Sequence, residues 1–218
     1  MKKTTILQLL LILSIMIINK GALAAILVGS DVEYDKLVRI NTSTGATTVI
    51  GSLGDPTVAG LTYDRNHNVL YGSSTATNKL LIIDPYTGQT NVVGAFGERL
   101  MHSIEYDPIH NVLYGITNQS STEALYTINV QTGTATLVGY HNLSGLSGLA
   151  FDAVNGVMYA SEIFQKKLYS TTMASDRHLH VRMQDIPIWL LRSGSCRMNR
   201  YAPCGQAFRL SALACCPS

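Results

Sequence analysis

The chain has 218 residues, 46% of them apolar, and its 16 Lys and Arg residues against 14 Asp and Glu give a formal charge of +2. The charge is unevenly divided: residues 25–171 carry seven basic and twelve acidic side chains, a net of −5, whereas residues 172–218 carry six Arg and two Asp, a net of +4. An acidic body lacks the basic footprint of a nucleic-acid-binding protein, so we expect no nucleic-acid partner.

Residues 1–24 have the features of an export signal. Lys2 and Lys3 precede an apolar run from Ile6 to Ile18, and Ala22-Leu23-Ala24 follows it. A basic start, a short apolar stretch and an A-x-A site are typical of a secretory signal peptide that is cleaved. The alternative is a retained anchor, but the run is shorter than the ~20 residues that a spanning helix needs. We therefore expect a mature protein without a membrane span, secreted, periplasmic or at the cell surface.

From residue 25 onward the sequence repeats itself every 43–45 residues. An element of the form Leu-x-x-Ile-Asp/Asn occurs at Lys36–Asn41, Lys79–Asp84 and Ala124–Asn129, and a fourth copy begins at Lys167–Tyr169. A fixed period in this range predicts a repeat architecture, in which each unit covers its apolar faces with its neighbours.

Each repeat resolves into four short strands separated by turns. Alternating apolar and polar residues, rich in Thr, Val, Ile and Tyr, predict strands rather than helices. The first strand is predicted at Gly60–Asp64, Ser103–Asp107 and Gly148–Asp152, and the second at Ile26–Gly29, Val69–Gly72, Val112–Gly115 and Val157–Ala160. The third is the Leu-x-x-Ile element, and the fourth is predicted at Thr47–Gly51, Thr90–Gly94 and Ala135–Gly139. A Thr-Gly pair marks the turn before each fourth strand.

Four antiparallel strands in a repeat of this length are typical of one blade of a β-propeller. The succession Leu-Tyr-Gly, Leu-x-x-Ile-Asp and Thr-Gly-x-x-Thr-x-Val-Gly resembles the YVTN-type repeats of secreted bacterial propeller proteins, over Ala25 to about Tyr169. The resemblance implies an all-β fold of four-stranded antiparallel blades. It implies little about activity, because propellers of this kind include enzymes, binding proteins and surface-layer proteins.

The predicted propeller is incomplete, with about three and a half blades. The mature chain would begin on a second strand at Ile26–Gly29, so the first blade lacks its first strand. In closed propellers the C-terminus commonly supplies that strand. Because the repeat pattern ends at about Ser170, we expect an open arc with two exposed blade faces.

Residues 172–218 do not continue the pattern. They contain all four Cys residues and the only Trp, Trp189, but no Lys. Three interpretations remain open: a small module stapled by disulfides, a zinc site using Cys196, Cys204 and the segment His178-Leu179-His180, or translation in a shifted reading frame. A frameshift explains both the break within a strand and the use of Arg without Lys. We favour it, and expect a tail unrelated to the blades and without a shared core.

Few residues of the repeats suggest a site. His67 and His110 occupy the same turn of successive repeats and are weak candidates for metal ligands. The alternative is a pair of solvated turn residues. His102 precedes a first strand and could point into the central channel of a propeller, but Ala59 and Ser147 replace it in the other repeats.

Two polar groups resemble parts of cation sites. Asp64-x-Asn66-x-Asn68 has the look of the first half of a calcium loop, without its Gly and its distal Glu, and three acidic residues alternate along Asp31–Asp35. We interpret both groups as ordinary turn and loop residues. No catalytic motif is recognisable, so catalytic residues stay unassigned and we expect no cofactor.

The favoured hypothesis is a secreted or surface, non-catalytic propeller that binds an unknown ligand or protein partner through its loops. The alternative is an enzyme of the lactonase or quinoprotein-like dehydrogenase classes of propeller. An enzyme would need polar side chains from several blades to converge on the central channel. The frameshift interpretation adds a third hypothesis, a non-functional fragment.

Overall fold

The computed structural model describes residues 26–118, 123–141, 143–164, 166–172, 184–185 and 210–216. Within these ranges the chain forms sixteen strands and no helix. The strands are β1 (Ile26–Asp31), β2 (Lys36–Ile40), β3 (Thr47–Ser52), β4 (Val58–Asp64), β5 (Val69–Ser74), β6 (Lys79–Ile83), β7 (Thr90–Ala95), β8 (Met101–Asp107), β9 (Val112–Thr117), β10 (Ala124–Ile128), β11 (Ala135–Tyr140), β12 (Leu146–Asp152), β13 (Val157–Glu162), β14 (Lys167–Thr172), β15 (Gln184–Asp185) and β16 (Leu210–Cys216).

The strands form four antiparallel sheets of four strands each, which we call blades 1 to 4. Their strand orders are β16-β1-β2-β3, β4-β5-β6-β7, β8-β9-β10-β11 and β12-β13-β14-β15. The first strand of each order is the inner strand, because β16, β4, β8 and β12 pack in succession against one another. Among the described strands, β12 and β16 do not pack together in this way. The fold is therefore all-β, an incomplete propeller as predicted.

The inner strands begin two residues earlier than the sequence pattern suggested. Each of the three carries a bulge near its start, at Ala59, His102 and Ser147, where the pairing register shifts. A bulge inserts one unpaired residue and breaks the period-2 alternation. For that reason the alternation becomes visible only at Gly60, Ser103 and Gly148.

Two short pieces of the region beyond residue 171 pair with the blades. Gln184–Asp185 is the fourth strand of blade 4, paired with β14. Leu210–Cys216 is the inner strand of blade 1, paired with β1 from Ile26 to Asp31. The predicted boundaries 1–24, 25–171 and 172–218 remain predictions, as does the frameshift. The signal peptide, Cys196, Cys204 and the His178–His180 segment lie outside the described residues.

The apolar cores lie between blades rather than within them. Val28 and Leu37 of blade 1 pack with Leu61 and Leu70 of blade 2. Two further clusters, one across blades 2 and 3 and one across blades 3 and 4, repeat the arrangement. A single four-stranded blade cannot bury both of its faces, so its stability depends on its neighbours.

The glycine of the fourth-strand motif (Ile50-Gly51 and Val93-Gly94) marks the point where adjacent blades touch through their backbones. A Cβ on Gly51 of blade 1 would overlap the carbonyl of Thr87 in blade 2, and a Cβ on Gly94 of blade 2 would overlap the carbonyl of Thr132 in blade 3. The motif and the Thr-Gly turn are therefore two halves of one contact, because only glycine permits so close an approach.

Candidate functional site

The connections between strands divide the arc into two ends. The loops that follow β1, β3, β5, β7, β9, β11 and β13 lie at one end, which we call the loop face. The turns that follow β2, β4, β6, β8, β10 and β12 lie at the opposite end, the turn face. Both assignments follow from the antiparallel order of every sheet.

The loop face is tied together by one hydrogen bond repeated at three blade junctions. Each bond runs from a backbone N–H just before an inner strand to a side-chain oxygen of the preceding blade. The pairs are Thr57 N to Asp35 Oδ1 at 2.9 Å, Leu100 N to Asn78 Oδ1 at 3.0 Å and Gly145 N to Glu123 Oε1 at 2.9 Å. The donor residue has a positive φ each time, 52°, 55° and 81°. This backbone is strained for Thr57 and Leu100, so the repeated bond has to hold it in place.

A second repeated feature caps the hairpin loops. A buried polar residue ends β1, β5, β9 and β13, namely Asp31, Ser74, Thr117 and Glu162. In blades 1, 2 and 4 its side-chain oxygen accepts a loop N–H, for example Tyr34 N to Asp31 Oδ1 at 3.3 Å and Phe164 N to Glu162 Oε1 at 2.6 Å. In blade 3, Thr117 Oγ1 accepts the N–H of Ala124, the first residue of β10. These polar side chains fix the base of each loop.

The tips of the same loops differ from blade to blade. In blade 1 the tip residue Tyr34 is 60% exposed. In blade 4 the tip residue Phe164 is 69% exposed, and its ring lies over Gly145. The equivalent loop of blade 2 carries Thr and Ala, and that of blade 3 is two residues longer. The turn face, in contrast, repeats the same short turn between the third and fourth strands of blades 1 to 3, closed by bonds from Gly45 N to Asn41 O, Gly88 N to Asp84 O and Gly133 N to Asn129 O. Sequence variation is therefore concentrated on one end of a fixed framework.

One junction of the loop face is polar where the others are apolar. His141 occupies the buried position of Leu53 and Phe96, and its backbone N–H faces the carbonyl oxygen of Glu123 at 3.4 Å. Its Nδ1 accepts from Leu143 N at 3.3 Å, and burial lowers its pKa to about 4. His141 Nε2 and Glu123 Oε2 are buried without a partner. The imidazole is therefore neutral, with its proton on Nε2.

A half-buried carboxyl group joins three inner strands. Glu105 of β8 accepts from Thr62 Oγ1 of β4 at 3.2 Å and from the backbone N–H of Phe151 of β12 at 3.2 Å. Thr62 Oγ1 also accepts the backbone N–H of Tyr106 at 3.1 Å. The inner strands β4 and β8 thus each reach the next inner strand through the same sequence position.

Burial raises the pKa of Glu105 to about 7, and the hydrogen bonds from Phe151 and Thr62 together with Arg65 offset only part of that effect. A carboxyl group with a pKa near 7 can exchange a proton at neutral pH. Sequence reasoning missed this residue. The available signal was a Glu in a strand position where the other repeats have Thr62 and Ala150.

The sequence-predicted candidates fall at different places. His67 and His110 lie on the turn face, where each Nδ1 bonds the aspartate that opens its own turn, Asp64 at 2.7 Å and Asp107 at 2.6 Å. His102 is the bulged residue of β8 near the loop face, and burial lowers its pKa. The structure does not bring these three histidines into one site.

The two groups that resemble cation sites are engaged in hydrogen bonds. Asp31 Oδ1 accepts the N–H groups of Glu33 and Tyr34, and Asp35 Oδ1 accepts that of Thr57. Asp64 Oδ1 accepts the N–H groups of Asn66 and His67, and Asn68 Oδ1 accepts the hydroxyl of Tyr63. In the part of the chain that the structure describes, no three His, Cys, Asp or Glu side chains are arranged to hold a metal ion. Within the same ranges, no helix has the length and hydropathy needed to cross a membrane.

Comparisons with known proteins show the fold. No protein-family model matches the chain, and no curated protein is significantly similar to it. Similar solved structures include the nidogen/laminin complex, at 15% identity over 67% of this chain and 60% of that one, with a TM-score of 0.53. A gluconolactonase from Xanthomonas campestris matches at 16% identity over 73% and 58%, with a TM-score of 0.55. Hydrazine synthase from Kuenenia stuttgartiensis matches at 12% identity over 70% and 43%, with a TM-score of 0.50.

These neighbours place the chain among β-propeller-like proteins. The chain spans about 60% of the length of the first two of them. Their known roles differ widely, so the likeness at such low identity carries the fold alone.

Proposed function

We propose that this chain is a secreted or cell-surface, non-catalytic propeller that binds a ligand or protein partner through its loop face. The observation that carries the proposal is the contrast between the fixed framework and the varied tips of that face. Asp35, Asn78 and Glu123 hold equivalent backbone N–H groups, whereas the exposed tips change from Tyr34 to Phe164. Recognition surfaces are commonly built from variable loops on a rigid scaffold.

The chemistry of the tips favours a partner with apolar or ring-shaped groups. Tyr34 and Phe164 each present a large side chain to solvent, held from below by a capped loop. Such aromatic side chains contribute contact area at a low cost in conformational entropy. Ordered aromatic tips are therefore suited to stack on a sugar ring or to anchor a peptide.

The test uses defined arrays of oligosaccharides and peptides as probes. We expect the Tyr34→Ala/Phe164→Ala double variant to lose at least tenfold in affinity for whichever probe the unaltered chain binds. Val154→Ala is the matched control, since Val154 is 91% exposed on the turn face. Equal loss in the control, or full binding by the double variant, would argue against loop-face recognition.

A second candidate function rests on Glu105. Its pKa of about 7 and its position between three inner strands are properties of a general base, and support the alternative of a propeller enzyme. Both of its oxygens, however, already accept hydrogen bonds from the framework. Hydrolysis of a panel of sugar lactones by the unaltered chain, abolished in Glu105→Gln, would replace the binding proposal by the enzyme.

A further inference from the structure

The two end blades each leave one face uncovered by the described residues. We call the side of a blade toward the next blade its trailing face and the other side its leading face. Thr62 and Glu105 lie on trailing faces, because they reach the inner strands of blades 3 and 4. The equivalent residue of blade 4, Ala150, is exposed.

Other trailing positions of blade 4 show the same change. Tyr159 is half-buried, whereas its equivalents Tyr71 and Tyr114 are buried in the clusters shared with the next blade. Leu168 is also half-buried, and its equivalents Leu80 and Leu125 are fully buried. Blade 4 therefore carries an apolar trailing face with the residues of a blade contact.

Blade 1 carries the complementary half of that contact on its leading face. Two of its three apolar positions, Leu27 and Ile40, are half-buried, whereas Leu70 and Ile83 at the same positions of blade 2 are buried against blade 1. The third position, Val38, is buried. The turn at Gly45 is also open: a Cβ there would meet no atom within 4 Å. The equivalent turns at Gly88 and Gly133 lie against the preceding blade.

We propose that a second copy of this chain covers both faces, with the trailing face of blade 4 on one copy against the leading face of blade 1 on the other. The two faces are the halves of a contact that the chain already makes three times between its own blades. A contact between two different faces of identical chains forms a ring when its rotation closes. Propellers close with about four to eight blades. Within the described residues a single arc stays open, because β12 and β16 do not pack together. Two four-bladed arcs make eight and three would exceed that range, so the proposed assembly is a closed dimer.

The test measures the mass of the full chain in solution by size-exclusion chromatography with light scattering. We expect the unaltered chain to have twice the mass of one chain. We expect Ala150→Arg to have the mass of one chain, because it places a charge on the exposed trailing face. Val92→Arg is the matched control, since Val92 is exposed on an outer strand outside both faces. It is expected to remain dimeric. A monomeric unaltered chain, a larger oligomer, or a dimeric Ala150→Arg would each overturn the proposal.

Mixing two variants tests the head-to-tail arrangement itself. Ala150→Arg keeps an intact leading face, and Ile40→Arg keeps an intact trailing face, so each is expected to be monomeric alone. Together they can form one intact contact and are expected to associate, with unchanged circular dichroism showing that both are folded. Association of Ala150→Arg with itself as strongly as with Ile40→Arg would contradict a contact between unlike faces.

Discussion

Gly51 of blade 1 lies so close to the carbonyl of Thr87 in blade 2 that a Cβ on Gly51 would approach the carbonyl oxygen to less than 3.0 Å. The same relationship joins Gly94 to Thr132 one blade later. The glycine that ends the predicted fourth strand and the Thr-Gly turn look unrelated in the sequence, but they are the two sides of one repeated blade contact.

Replacing Gly51 by alanine is expected to destabilise the chain by about 2 kcal/mol or more, because the backbone of one blade has to move. Gly54→Ala is the control. Its added Cβ would lie 3.0 Å from the hydroxyl of Thr90, a side chain that can rotate, so the expected cost is below about 1 kcal/mol. Urea unfolding of both variants measures the difference. Equal costs would show that the backbone contact is not tight.

Thr62→Val is expected to cost about 1–3 kcal/mol, because it leaves the backbone N–H of Tyr106 without its acceptor inside the protein. Thr48→Val makes the same chemical change on an exposed position of β3 and is expected to stay within about 0.5 kcal/mol of the unaltered chain. Thermal or urea unfolding compares the two. An unchanged stability of Thr62→Val would contradict the link between the inner strands of blades 2 and 3.

Glu105 is expected to make stability depend on pH around neutrality. Its pKa in the fold, about 7, lies above the ordinary value of 4.5, so the fold retains a proton that the unfolded chain loses. The stabilisation that this retained proton gives to the fold is complete below pH 4.5 and is lost as the pH rises through 7. When the pH rises from 4 to 8, the free energy of unfolding of Glu105→Gln should therefore increase by up to about 3 kcal/mol relative to that of the unaltered chain. If the difference in unfolding free energy between Glu105→Gln and the unaltered chain were the same at pH 4 and pH 8, a pKa of about 7 for the half-buried Glu105 would be contradicted.

His141 is expected to act in the opposite direction. Its pKa of about 4 lies below the ordinary 6.5, so its stabilising contribution is present above pH 6.5 and is lost as the pH falls toward 4. His141→Leu, with the residue found at the equivalent Leu53, should flatten the decline of the melting temperature between pH 7 and 4. A decline as steep as that of the unaltered chain would show that His141 is not the responsible group.

The sequence predicted the strands well because most of them alternate and repeat. The second, third and fourth strands of the repeats occur within one or two residues of their predicted bounds, as at Val69–Ser74 and Thr90–Ala95. The inner strands were predicted two residues short because bulges such as that at His102 interrupt the alternation. A bulge depends on pairing with another strand, and a local pattern does not contain it.

The candidate site was much less predictable. Asp35 and Thr57 are 22 residues apart, and so are Asn78 and Leu100, but the alternation of a strand gives no reason to connect them. Glu105 differs from its equivalents in one position of one repeat, and its raised pKa arises from burial between blades. Such properties come from the packing of repeats on each other, which a period alone does not describe.

The central claim is that the chain forms consecutive four-stranded blades, with Leu210–Cys216 as the inner strand of blade 1. Residue-resolved hydrogen exchange on the full chain and on a chain ending at Arg209 tests it directly. We predict slow exchange in β5, β6, β9 and β10 of both chains, and a loss of protection in the shorter chain confined to the amides of β1 that face β16. Unchanged protection of β1 would contradict the completed first blade and support a tail unrelated to the blades, and rapid exchange throughout β5–β10 would contradict the propeller itself.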